Sequence, residues 1–211
     1  MNELDSRSLA FTDCFAQRFE KPGEVTYEVV HAAGAMVDLK ERPFRITVAA
    51  AGGEGPESEQ HDVVVRWDGR AFAVEPAALK IAAGEVVLWH APDAKAPGFL
   101  VRGEGPDGAF SSAALAQQAV YTHAFGLAGD YRWVDANGSR IGGQVRVREV
   151  DGKDKRAMNS WANAIAKPTL VTISGDRVEP EQVRIYVGQT VFFAVEKAPG
   201  ITITDARVAK R

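Results

Sequence analysis

The 211-residue sequence predicts an all-β protein built as two barrels or sandwiches, with one short connector helix. Three observations carry that prediction. Short apolar segments recur with Gly and Pro turns between them. A long stretch of the chain occurs twice. Only one segment has helical spacing.

The elements follow in chain order. Phe11, Phe15, Phe19, Val25, Tyr27 and Val29, then Phe44, Ile46 and Val48, supply strand faces near the N-terminus. Ala51 to Gln60 is rich in Gly and Glu without periodicity and reads as a solvated linker. Asp62 to Trp67 is a Val-rich strand bounded by the Asp68-Gly69 turn pair. Leu79 and Ile81 alternate with small or polar neighbours, and Val87 and Trp89 share one face of the next strand. Tyr121, His123 and Phe125 share a face, as do Tyr131 and Trp133, and Gln144 to Val150 closes the series. Between Asp151 and Lys167, Met158, Trp161 and Ile165 stand at i, i+3 and i+7 with Ala162 beside them. That is one face of a short helix, ended by Pro168.

The duplication sets the expected domain plan. Val74-Glu75-Pro76 opens a run through Ile81, Gly84, Val87 and Trp89 to Lys95-Ala96-Pro97-Gly98. Val178-Glu179-Pro180 opens a matching run through Ile185, Gly188, Val191 and Phe193 to Lys197-Ala198-Pro199-Gly200. The first copy continues; the second meets the C-terminus. Phe19, Gly23, Val25 and Tyr27 repeat the spacing of Phe125, Gly129, Tyr131 and Trp133. The chain then reads as half a barrel (1–50), a linker (51–60), a complete barrel (61–150), a helical connector (151–168) and the other half barrel (169–211).

The half from 169 onward cannot remain alone. Val171, Ile173, Val178, Val183, Ile185, Val187, Val191, Phe193, Ile201 and Ile203 point mostly inward, and burying each such side chain contributes about 1.5–3 kcal/mol. Its unpaired strand edges would also invite aggregation. Two closures are expected. The N-terminal half completes it within one chain, which avoids the entropy of association; or it does so between chains, giving rings or filaments.

Composition narrows the class. Hydrophobic residues make up 45% and charged residues 25%, ordinary for a soluble globular chain. A formal charge of −3 does not favour nucleic acid or an anionic membrane. No apolar stretch has spanning length, the N-terminus has no signal-peptide pattern, and Cys14 is the single cysteine. A cytoplasmic location is the resulting expectation, or a periplasmic one if a leader has been removed.

From His61 to Val150 the chain resembles a cupredoxin, the Greek-key barrel of plastocyanin and azurin. The residues that carry the resemblance are Phe72, Pro76, the run Lys80 to Val87, Trp89, Phe99, Tyr121 to Phe125, Gly129 to Trp133 and Gly143 to Val147. The family implies a type 1 copper centre of two His, one Cys and an axial Met. Carried over position by position, the first His falls near Pro97 or Gly98, the Cys on Asp135, the second His near Gly138 and the Met near Ile141. In the split copy, Pro199 or Gly200 takes the first His position and Val29 or Val30 the Cys position, with His31 nearby. The resemblance thus implies the fold without its electron-transfer copper.

The remaining chemistry is sparse. His123 shares parity with core aromatics and is expected as a core histidine; His90 is expected outward. No two histidines show ligand spacing, and none is expected to meet an acidic cluster. Cys14, among Phe11, Phe15 and Phe19, is expected as an inert thiol, and Asp135 as a turn residue before Ala136-Asn137-Gly138. Ser111-Ser112 lacks a hydrolase elbow. No catalytic, cofactor or metal residue is therefore assigned. The expected role is a non-catalytic, metal-free scaffold or accessory subunit that binds another protein or its own copies. Strand edges and the vacated copper-end loops, Ala96 to Phe99 and Asp135 to Ile141, would form its contact surface. The alternatives are an atypical metal protein using His31, His61, His90 or His123, and a structural protein that polymerises by swapped halves.

Overall fold

A computed structural model describes residues 3–33, 44–51 and 59–209. The chain is mostly strand. It begins with β1 (Asp13–Arg18), β2 (Gly23–His31) and β3 (Phe44–Ala49). Then come β4 (Gln60–Trp67), β5 (Phe72–Glu75), β6 (Ala78–Ala82), β7 (Val86–His90), β8 (Phe99–Gly105) and β9 (Gly108–Ser111). The second part has β10 (Ala119–Ala124), β11 (Gly129–Asp135), β12 (Gly142–Arg148) and the helix α1 (Lys155–Ile165). It ends with β13 (Thr169–Ser174), β14 (Arg177–Glu179), β15 (Gln182–Tyr186), β16 (Thr190–Lys197) and β17 (Ile203–Asp205). Among the described residues no helix is long and apolar enough to cross a membrane.

Three sheets result. One is eight-stranded, in the order β14-β13-β16-β10-β1-β7-β4-β5. Its left half faces the four-stranded sheet β15-β12-β11-β17, and its right half the five-stranded sheet β6-β3-β2-β8-β9. One pairing scheme occurs twice. β4–β7 and β13–β16 are parallel, as are β3–β6 and β12–β15. β2–β8 and β11–β17 are antiparallel. Leu9 bridges Phe99, and Leu115 bridges Ile201 in the same manner.

These pairings correct the expected domain plan. β1 to β3 close on β4 to β9, and β10 to β12 close on β13 to β17. The units are therefore consecutive, with the break near Ser112. Residues 61–150 are not a closed barrel, and residues 1–50 are not the missing half of 169–211. The physical reason is loop closure. Joining β3 to β4 spans about ten residues, whereas joining β3 to β13 spans more than a hundred, an added entropy cost of roughly 2 kcal/mol. The chain ends do meet, but only as a strap. Asp5 bridges Thr204; Ser6 N–H donates to the Ile203 carbonyl at 2.9 Å, and Asp205 N–H to the Leu4 carbonyl at 2.8 Å.

The cores follow from the alternation in the sequence. In the first unit Trp89 lies among Phe15, Tyr27 and Phe110, with ring centroids 5.3–5.9 Å away. In the second, Phe193 lies between Tyr121 and Trp133, at 6.0 and 5.3 Å. The central strands β1 and β10 are antiparallel, with Phe15 opposite Tyr121. Two N-terminal side chains differ from expectation: Phe11 is exposed, and Phe44 is only partly buried against the core.

Helix α1 opens on an Asp154 cap that accepts the Arg156 amide at 2.8 Å. It lies against β15, fixed by Trp161 Nε1–H to the Val187 carbonyl and Gln189 Nε2–H to the Ala164 carbonyl, both 3.0 Å. Its packed face runs through Ala157, Met158, Trp161 and Ala164. Ile165 and Ala162, expected on that face, are exposed, because the packed face is centred on Ala157, Trp161 and Ala164 and both residues fall at its margin. Of the linker expected at 51–60, residues 52–58 lie outside the described residues, and β4 already begins at Gln60.

Gly103 shows how tightly the first unit packs. A Cβ there would lie 2.5 Å from the Thr26 carbonyl oxygen and 2.6 Å from the Phe110 ring. Gly103→Ala is expected to destabilise the protein by about 1–3 kcal/mol. A urea midpoint unchanged from wild type would refute that close approach.

Candidate functional site

The family-implied copper positions separate into two places. In the second unit the buried Asp135 carboxylate is fully engaged: Oδ1 accepts the Thr202 amide at 2.9 Å and the Asn137 amide at 3.0 Å. Burial alone would raise its pKa, but these backbone donors, aided by Ser139, hold it below the ordinary carboxylate value. Asn137 Nδ2 reaches Thr202 Oγ1 at 3.2 Å, so residues 135–141 sit against residues 200–202. Ala96 to Phe99 lie in the first unit, beside Ala32 and Leu9. The two loops expected to make one surface therefore belong to different units, because each unit closes on its own strands. His31, at the end of β2, faces the rings of Trp67 and Phe72 at 6.2 and 6.3 Å.

The seam between units holds a buried polar network. Asp13 Oδ1 accepts the Tyr121 hydroxyl at 2.9 Å and lies 2.6 Å from His123 Nδ1, while Oδ2 accepts the Ala10 amide at 2.8 Å. Asp13, Tyr121 and His123 are each at most 3% exposed. His123 is thus the core histidine the strand parity indicates. Asp13 was not singled out in the sequence, though an acid within a Phe-rich segment is a signal that something must pair it. Burial and the adjacent Asp13 carboxylate push the Tyr121 hydroxyl well above its usual pKa. Cys14, next in the strand, is half-buried, and burial raises its thiol pKa despite the opposing Thr122 contact, as an inert thiol requires.

A second cluster gathers around His61. His61 Nε2 lies 2.8 Å from Glu85 Oε2, and that same oxygen accepts the Ala82 amide at 2.8 Å. Glu59, two residues before His61, brings a third ligand-type atom; the three lie within 4.8 Å of one another. The Ala82 amide first, and His61 second, hold the Glu85 carboxyl below its ordinary pKa. The expectation that no histidine meets acidic groups is thereby corrected. Glu59, just before β4, and His61 at i, i+2 give a local signal. Glu85 stands just before the neighbouring parallel strand β7, which the sequence does not align. His90 is half-buried at the end of β7, pairing with Cys14 on one side and Val64 on the other.

An open groove of about 570 Å³ runs between the units. Tyr27, Glu28, Arg102, Ala109 and Phe110 of the first unit line it, with Pro199 and Gly200 of the second. β9, its flank, is an edge strand of the five-stranded sheet. Glu28 and Arg102 pair on its floor.

Comparison with family models, with curated proteins and with solved structures returns no match.

Proposed function

We propose that the protein is a non-catalytic scaffold or accessory subunit that binds an extended segment of another protein in the groove beside β9. The observation that carries this reading is the groove itself: apolar walls, a charged pair, and an exposed strand edge able to accept a further strand. In this reading each unit is cupredoxin-like, with the half that follows in plastocyanin-type barrels placed first, and the pair arose by duplication. The two matched pairing schemes support the duplication. The engaged Asp135 carboxylate supports a fold that has exchanged a copper thiolate for a turn-closing group.

Selection of a random peptide library against the protein tests this reading. Extended, alternating peptides are expected to emerge, and Ala109→Arg, which fills the groove from an exposed position, should weaken them at least tenfold. Peptides indifferent to Ala109→Arg, or none at all, would refute it.

A further inference from the structure

We propose that Glu59, His61 and Glu85 form a binding site for a divalent transition-metal ion on the flank of the first unit, where β4 and β7 begin. This goes beyond the groove reading and does not depend on it. One ligand atom from each residue lies within 4.8 Å of the others. The 2.8 Å between His61 Nε2 and Glu85 Oε2 lies at the short end of the roughly 2.8–3.6 Å that neighbouring ligands adopt around an ion held at about 2.0–2.2 Å, so a small rotation of the two side chains admits the ion. One imidazole with two carboxylates suits Zn²⁺ or Mn²⁺; no thiolate is present to favour Cu(I). The backbone positions are firm, since Gln60 pairs with Val86 and His61 with Val87 inside the eight-stranded sheet. The His61 and Glu85 side chains are each 20% exposed, so solvent can reach the site and fill the remaining coordination positions.

The second unit supplies an independent control. There Gln189 stands where Glu85 stands, and its Oε1 accepts the Tyr186 amide at 2.7 Å, just as Glu85 accepts Ala82. Closing this turn requires an acceptor oxygen, which a neutral amide provides. Thr169, paired with Val191, takes the place of His61, paired with Val87. Lys167, two residues before Thr169, takes the place of Glu59. The same backbone is thus built in the second unit without any of the three donors. Two carboxylates held this close repel each other, and a cation between them removes that cost. The imidazole must offer an unprotonated Nε2, so on binding His61 keeps its ring proton on Nδ1 and gives up its hydrogen bond to Glu85.

Isothermal titration of the full chain, stripped with chelator, with ZnCl₂ at neutral pH tests the site. One ion per chain is expected to bind. His61→Ala and Glu85→Gln should each weaken binding at least tenfold. Glu85→Gln keeps the turn closed by the means Gln189 uses, so its thermal transition should match wild type. His90→Ala should bind as wild type. Absence of saturable one-to-one binding, wild-type affinity in either His61→Ala or Glu85→Gln, or an equal loss in His90→Ala would overturn the assignment.

Discussion

Asp13→Ala is expected to lower the unfolding free energy by about 3–5 kcal/mol, since each buried donor left without its acceptor costs about 1–3 kcal/mol. The loss removes the acceptor shared by three groups: the Tyr121 hydroxyl, His123 Nδ1 and the Ala10 amide. All sit at the seam where β1 meets β10. With net stabilities of about 5–15 kcal/mol, this is a large share of the total. Urea unfolding monitored by tryptophan fluorescence should show a lower midpoint with an unchanged slope. A double-mutant cycle with Tyr121→Phe should return a coupling energy above about 0.5 kcal/mol, because the two groups touch. A loss below about 1 kcal/mol would mean the network is not what joins the units.

The second large effect concerns where the chain divides. A fragment of residues 61–150 is expected to show no cooperative thermal transition. It keeps β4 to β9 without β1 to β3, and β10 to β12 without β13 to β17. Val63, Val65, Trp89, Phe99, Tyr121 and Trp133, all buried in the whole protein, would lose their facing layers. Each loses about 1.5–3 kcal/mol of burial, more in sum than a domain's net stability. Residues 1–112 keep the complete first unit, so this fragment is expected to retain strand structure and to associate through the β1 edge left open by the missing β10. Circular dichroism and size exclusion distinguish the two. A cooperative melt in 61–150 would restore the half–whole–half arrangement.

That contrast explains what was legible. The strands were, because alternation at Val63 and Val65, Val87 and Trp89, or Val183 and Ile185 is local and its period is written in the chain. The division into units was not. A repeat that runs half, half, half, half can be cut as one whole between two halves or as two wholes in succession. Only the pairing of β3 with β6 and of β12 with β15 decides between them. The helix was legible but its buried face was offset, since Ile165 fits the spacing yet points away from β15. At the candidate metal site, Glu59 and His61 were readable from their spacing, whereas Glu85 arrives through parallel pairing across two dozen residues. The seam network was least legible of all: Asp13 and His123 are 110 positions apart, and nothing local in either segment names the other.

The strap at residues 4–6 has a mechanical consequence. It runs antiparallel to β17, so a force pulling the two chain ends apart would load its hydrogen bonds one after another and not all together. The strap should peel at low tension. Resistance should then rise abruptly once the load reaches β1, which is flanked by β7 and β10 in the middle of the widest sheet.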